Sequence, residues 1–113
     1  MAGFGDIKGI FEAAQKMQGE MARIKEELAA RTVTGESGGG LVRCVVNGKG
    51  EVVSLELDPI VTFQDEASRK MAIDLIVGAV NVGLDKSRVM AEKEVAQVTA
   101  GLNLAPGLFG GGS

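Results

Sequence analysis

The sequence predicts an α+β fold in which a long N-terminal helix, a small antiparallel sheet of about three strands and a long C-terminal helix follow one another. Apolar residues recur at intervals of four and three at the start of the chain, at every second position in the middle, and at helical intervals again towards the end. The 113 residues contain no internal repeat or linker, so we expect a single domain, 1–113, with flexible glycine-rich ends at 1–5 and 103–113.

The first helix is predicted from about Ile7 to Ala30, with Asp6 as its N-cap. Its apolar residues form one narrow seam, which consists of Ile10, Ala14, Met17, Met21, Ile24 and Leu28. This spacing is typical of a coiled coil, and charged residues fill most of the other positions. Most helical stability comes from burying such a stripe, so the seam must lie along another helix, in this chain or in a second copy.

The segment after this helix has the composition of β-strands. Thr32–Thr34 favours a strand, Gly35–Gly40 is predicted to be a loop, and Leu41–Asn47 is predicted to be the second strand. Asn47–Gly50 is a hairpin turn in which glycine supplies positive φ, and the third strand follows at Glu51–Asp58. We therefore expect a small antiparallel sheet with one face in water.

Alternation along the two longer strands predicts which side chains are buried. Those predicted to point inward are Val42, Cys44 and Val46 on one strand and Val53, Leu55 and Leu57 on the next. Cys44 is therefore predicted to be a small buried hydrophobe, because a reactive thiol would need a cationic neighbour on its own face.

The second helix is predicted to start between Thr62 and Asp65 and to end at Gly101. Its segment Met71–Leu84 is apolar nearly all round, which indicates burial on more than one side. The small sheet can cover only one of those sides. A second copy of the chain must cover the other, so we expect a homodimer.

The composition excludes several classes of function. The chain has no histidine, the commonest general base and metal ligand, and its single cysteine cannot form an internal disulfide or a cysteine zinc site. We therefore expect that the protein is not an enzyme and that it has no catalytic residues, metal site, cofactor or small-molecule substrate. No segment has the pattern of a signal peptide or a membrane span, which predicts a soluble cytoplasmic protein without a membrane partner.

The glycine-rich loop and the neighbouring carboxylates are not predicted to carry chemistry. Gly35–Gly40 lacks the GxxxxGK[ST] order of a phosphate-binding loop, and it joins two strands instead of opening a helix. Glu56 and Asp58 lie on the exposed face of a strand by alternation, where solvated carboxylates are ordinary.

The remaining signal is cationic. The basic residues of interest on the two predicted helices are Lys16, Arg23, Lys25, Lys86, Arg88 and Lys93. On composition alone, these residues are expected to lie on solvated helix faces, because glutamates are interleaved with them. No aromatic residue accompanies them that could stack on bases. The net charge of −3 also opposes long-range attraction to nucleic acid.

Several motifs, in order along nearly the whole chain, resemble the YbaB/EbfC family of bacterial nucleoid-associated proteins. They are Gln15–Gln18, Val33–Val42, Asn47–Val52, Glu56–Pro59 and Gly101–Phe109. The resemblance implies a homodimer with an α/β core and paired helical arms that project like tweezers and grip duplex DNA. It also implies a cytoplasmic protein that is located in the nucleoid and contributes to nucleoid organisation or gene regulation.

The first hypothesis is therefore a homodimer that binds double-stranded DNA through its arms, mainly by backbone contacts and with little sequence preference. The six basic residues named above are its candidate phosphate contacts. The alternative is a protein-interaction module that uses the arms and the apolar tail, with no direct role for DNA.

Overall fold

The computed structural model describes residues 4–101, which form five elements. Helix α1 spans Phe4–Ala30, strands β1, β2 and β3 span Thr32–Ser37, Val42–Asn47 and Val52–Leu57, and helix α2 spans Glu66–Gly101. The predicted α+β fold is confirmed. The flexibility predicted for 1–5 and 103–113 stays a prediction: 1–3 and 103–113 lie outside the described residues, and residues 4 and 5 belong to the first turn of α1.

Both ends of α1 differ from a simple capped helix. It begins at Phe4, so the predicted N-cap Asp6 lies in the first turn, where a carboxylate is favourable beside the positive end of the helix dipole. At the other end, the Gly48 amide donates hydrogen bonds to the carbonyl oxygens of Leu28 (2.8 Å) and Arg31 (3.0 Å). A Cβ at position 48 would lie 2.7 Å from the Leu28 oxygen, so the hairpin turn needs glycine where it meets the helix.

Helix α2 begins at Glu66, one residue beyond the predicted window, because Asp65 is its N-cap. The Ser68 amide donates to Asp65 Oδ1 at 2.7 Å, and the Asp65 amide donates to Ser68 Oγ at 3.1 Å. The hydrogen bond from the Ser68 backbone, followed by that from its side chain, lowers the pKa of Asp65 below its usual range.

The three strands form an antiparallel sheet in the order β1-β2-β3, and α2 lies across β1 and β2. The centre of the core consists of Val42, Cys44 and Val46 from β2 and Ala79 from α2. The predicted burial of these β2 side chains is confirmed, since all three are inaccessible to solvent. Burial also raises the pKa of the Cys44 thiol, as expected for a group without a cationic partner.

Strand β1 is longer than predicted, because Gly35–Ser37 continues the strand instead of opening the loop. A Cβ at Gly35 would lie 2.2 Å from the Gly83 nitrogen and 2.3 Å from the Ala79 oxygen, so the α2 backbone rests directly on β1 at this point. Only Gly38–Gly40 form the turn proper, with φ values of 62°, 69° and 97°. The glycine run therefore serves both helix packing and chain reversal.

The inward pattern predicted for β3 is wrong. A bulge shifts the register so that Val52 lies opposite Val46, and Leu55 lies opposite Cys44. Val53 is 58% exposed and Leu55 is 38% exposed, and only Leu57 is partly buried. The reason is that α2 covers β1 and β2, which leaves the apolar side chains of the edge strand β3 without a cover.

The apolar segment of α2 is covered on one side, towards the sheet. Ala72 and Ala79 are buried there, but other apolar side chains are exposed in this single chain: Met71, Ile73, Val77 and Val82. We call these four residues the outer face of α2. The described chain therefore has uncovered apolar surface on both β3 and α2.

Candidate nucleic-acid interface

We define the arm as α1 together with the part of α2 beyond Ser87. The Ser87 hydroxyl is buried and donates a 2.7 Å hydrogen bond to the carbonyl oxygen of Asn47, which fixes the point where α2 leaves the sheet. Beyond Ser87, the Glu94 carboxylate forms a 2.5 Å ion pair with the guanidinium of Arg31, the residue that follows α1. The arm is thus attached to the core by contacts at its base.

The seam of α1 is covered over only half its length. Ile24 and Leu28 are 1% and 5% exposed, Met17 and Met21 are half-buried, and Ile10 is 60% exposed. The part of the chain that the structure describes is elongated. Its radius of gyration is 21.2 Å, compared with about 13 Å for a compact domain of this length.

Two of the predicted DNA-contacting residues are held by carboxylates. Arg23 pairs with Glu20 (2.7 Å) and Glu27 (2.6 Å) on the surface of α1. Its hydrogen bond to Glu20 and the charges of both glutamates raise the pKa of Arg23. The group formed by Arg23, Glu20 and Glu27 therefore carries a net negative charge.

Arg88 has the same arrangement on α2, where it pairs with Asp85 (2.6 Å) and Glu92 (3.1 Å). The hydrogen bond to Asp85 and the charges of Glu92 and Asp85 raise the pKa of Arg88. Like Arg23, it presents no uncompensated positive charge.

Lys16 and Lys25 are exposed and form no ion pair with the described residues. They do not form a common site, because nine residues at about 100° per residue place them on opposite sides of α1.

The structure does bring Lys86 and Lys93 together. Both line a shallow groove of about 310 Å³ at the base of the arm, and Arg31 lines it from the other side. Sequence reasoning missed Arg31, which stands alone between α1 and β1. No local signal indicates that it meets Glu94, which is 63 positions later in the chain.

The other chemistry considered from the sequence gives no site. Within residues 4–101, no cluster of three or more metal-ligating side chains occurs. Glu56 and Asp58 are exposed, and Asp58 Oδ1 accepts a hydrogen bond from the amide of Ile60 at 2.9 Å. Over the same residues, neither helix is long and apolar enough to cross a membrane.

Solved structures share this architecture. A crystal structure of an uncharacterized protein from Helicobacter pylori matches with a TM-score of 0.56. The match covers 77% of this chain and 94% of that one, at 23% sequence identity, and it supports the fold alone.

Sequence comparisons identify the family. A nucleoid-associated protein of Syntrophobacter fumaroxidans is 45% identical over 102 residues, which cover 87% of this chain and 91% of that protein. Another nucleoid-associated protein, from Desulfotalea psychrophila, is 38% identical over 99 residues, with coverages of 88% and 92%. The sequence model of the YbaB/EbfC DNA-binding family matches residues 3–102. With its helices, sheet and motifs in the expected order, the chain belongs to the YbaB/EbfC DNA-binding family.

Proposed function

We propose that the protein is a nucleoid-associated homodimer that binds double-stranded DNA through its arms, mainly by contacts to the sugar–phosphate backbone and with little sequence preference. The observation that carries the proposal is the family match over residues 3–102. The relatives described as nucleoid-associated also support a location in the bacterial nucleoid and a role in nucleoid organisation or gene regulation.

The homodimer is supported by the apolar surface that one chain exposes. The exposed apolar side chains include the outer face of α2 and Val52, Val53 and Leu55 of β3, which a second copy would cover.

Among the six predicted basic residues, the four lysines are the proposed phosphate contacts: Lys16, Lys25, Lys86 and Lys93. Arg23 and Arg88 are assigned to ion pairs that stabilise their own helices, because two carboxylates surround each guanidinium. A dimer carries twice the chain's net charge of −3, so binding depends on local clusters and not on the overall field.

The test is a salt series on two duplexes of unrelated sequence, measured by fluorescence anisotropy. Both duplexes should bind with similar affinity, and the logarithm of the binding constant should fall linearly with the logarithm of salt, with a slope of about −0.9 per phosphate contact. Binding to only one duplex would contradict the backbone-contact mechanism. Absence of binding at the lowest salt would reject DNA as the partner.

Light scattering provides the test of self-association. A dimer should have twice the chain mass of 11.7 kDa, and addition of a short duplex should increase the mass further. A stable single copy at micromolar concentration would contradict the dimer.

A second candidate is a protein-interaction module. It is favoured by the free end of α1, where Ile7, Ile10 and Phe11 are 65%, 60% and 62% exposed. An apolar cluster at the tip of a charged rod is typical of a docking surface for another protein. This candidate remains if the salt series detects no retention of DNA.

A further inference from the structure

The groove at the base of the arm combines three cations from distant parts of the chain. Arg31 follows α1, whereas Lys86 and Lys93 are seven residues apart on α2 and face the same way. Two helical turns separate the two lysines by about 10.5 Å along the axis. Val89 and Met90 lie between them on the groove wall.

The positive charges of this groove are only partly cancelled by its own residues. Lys86 Nζ donates a 3.0 Å hydrogen bond to the Thr34 carbonyl oxygen, which is neutral and leaves the ammonium charge in place. Lys93 forms no ion pair with the described residues, and Arg31 pairs with Glu94. Three positive charges and one negative charge therefore line the groove, in contrast to the net negative groups around Arg23 and Arg88.

The carboxylates that precede the two lysines in sequence do not neutralise them. Asp85 and Glu92 lie about 100° around the helix from Lys86 and Lys93, and both pair with Arg88. One side of α2 is thus a neutralised surface, and the neighbouring side presents uncompensated cations.

The groove also lies at the sheet edge away from the uncovered apolar strand. Arg31 and Val33 belong to the β1 edge, whereas the exposed apolar side chains of the sheet are on β3, at the opposite edge. Coverage of β3 by a second copy would therefore not by itself close this groove at the β1 edge.

The geometry points to this groove as the main phosphodiester-binding site of the arm, with Arg31 as a third cation beside Lys86 and Lys93. The assignment rests on the proposed DNA binding. The positions of the two lysines on α2 are about 10.5 Å apart along the helix axis, so each lysine can contact a different phosphate. Arg31 binds phosphate through its planar guanidinium when the bond to Glu94 opens.

The test compares two double variants with the same loss of charge. Arg31→Gln with Lys93→Gln removes two cations from the groove, and Arg23→Gln with Arg88→Gln removes two cations from the neutralised groups. On a mixed-sequence duplex, the groove variant should lose roughly tenfold or more in affinity. The slope of the logarithm of its binding constant against the logarithm of salt should become less negative by about 1.8 for each groove that contacts DNA. The control variant should bind within about twofold of the parent and keep the parent slope.

The single substitution Lys93→Gln keeps the test decisive if the Arg31 variant folds poorly, because Lys93 has no ion-pair partner among the described residues to lose. This substitution should weaken DNA binding and make the salt slope less negative by about 0.9 for each groove that contacts DNA. Equal losses in the groove and control variants, with normal binding by the parent, would overturn the groove assignment and leave DNA binding in place. No binding by the parent protein would instead reject the proposed function itself.

Discussion

The layer that α2 forms on the sheet and the arm that extends from it are stabilised in different ways. In the layer, the α2 backbone contacts β1 at Gly35, and the β2 side chains are completely buried. In the arm, only the inner half of the seam is buried, and much of the surface consists of ion pairs within single helices. The comparison indicates that the layer determines whether the chain folds, whereas the arm is a charged rod whose surface is available for binding.

The largest expected effect is that of Gly35→Ala in the layer. The added Cβ would overlap the Gly83 nitrogen and the Ala79 oxygen, which are helix backbone atoms and cannot rotate away. We expect a loss of more than about 3 kcal/mol in the free energy of unfolding, a large fraction of the ~5–15 kcal/mol typical of a domain. Urea unfolding followed by circular dichroism measures this, and a midpoint equal to that of the parent would show that α2 does not rest on β1.

The next effect tests the buried half of the seam. Ile24→Ala should lower the free energy of unfolding by about 2–5 kcal/mol, because the side chain is 1% exposed and leaves a cavity. The matched control is Ile10→Ala, in the same seam but 60% exposed, which should change stability by less than about 1 kcal/mol. Equal losses at a fixed protein concentration would show that the seam is covered along its whole length, for example by a second copy.

A smaller effect of the opposite sign is expected on the arm. Gly19→Ala should stabilise α1 by about 1 kcal/mol, because a Cβ there meets no atom within 4 Å and alanine favours the helix. Gly39→Ala also has open space, but φ at Gly39 is 69°, so the same substitution should be destabilising there. Thermal unfolding of the two variants distinguishes backbone conformation from packing, and shifts of the same sign would contradict this account.

The smallest effect is a pH dependence at the start of α2. The pKa of Asp65 is lowered in the folded state, so its contribution is present above the unfolded pKa of about 3.9 and is lost as the pH falls through the folded value. An asparagine at this position would cap the helix without titrating, so Asp65→Asn should lose less stability than the parent on acidification. Identical acid dependence of the two proteins would show that this cap does not contribute.

Hydrophobic spacing predicted much of the fold, and the errors concern features that depend on where α2 packs on the sheet. The two helices, the three strands and the burial of Cys44 were predictable because each depends on local periodicity. The continuation of β1 through Gly35 was not, since glycine normally signals a turn and only the approach of α2 explains a glycine within a strand. The exposure of Val53 and Leu55 depends on which strands α2 covers, and alternation alone does not contain that information.

The candidate site was predictable only as a list of cations. The sequence analysis named Lys86 and Lys93 together with Arg23 and Arg88, although the carboxylates three and four positions from each arginine were a local signal for its ion pairs. Arg31 was missed because its neighbours in the groove come from α2, more than fifty positions away in sequence.

The bulge opposite Val46 has a consequence for how copies of this chain can associate. An exposed apolar edge strand is ordinarily a template for unlimited sheet growth and fibrous aggregates. The shifted register at Val45 and Val46 makes the row of amide and carbonyl groups irregular, so an incoming strand cannot extend the sheet evenly. The edge can thus offer its side chains for a closed, finite assembly while resisting polymerisation.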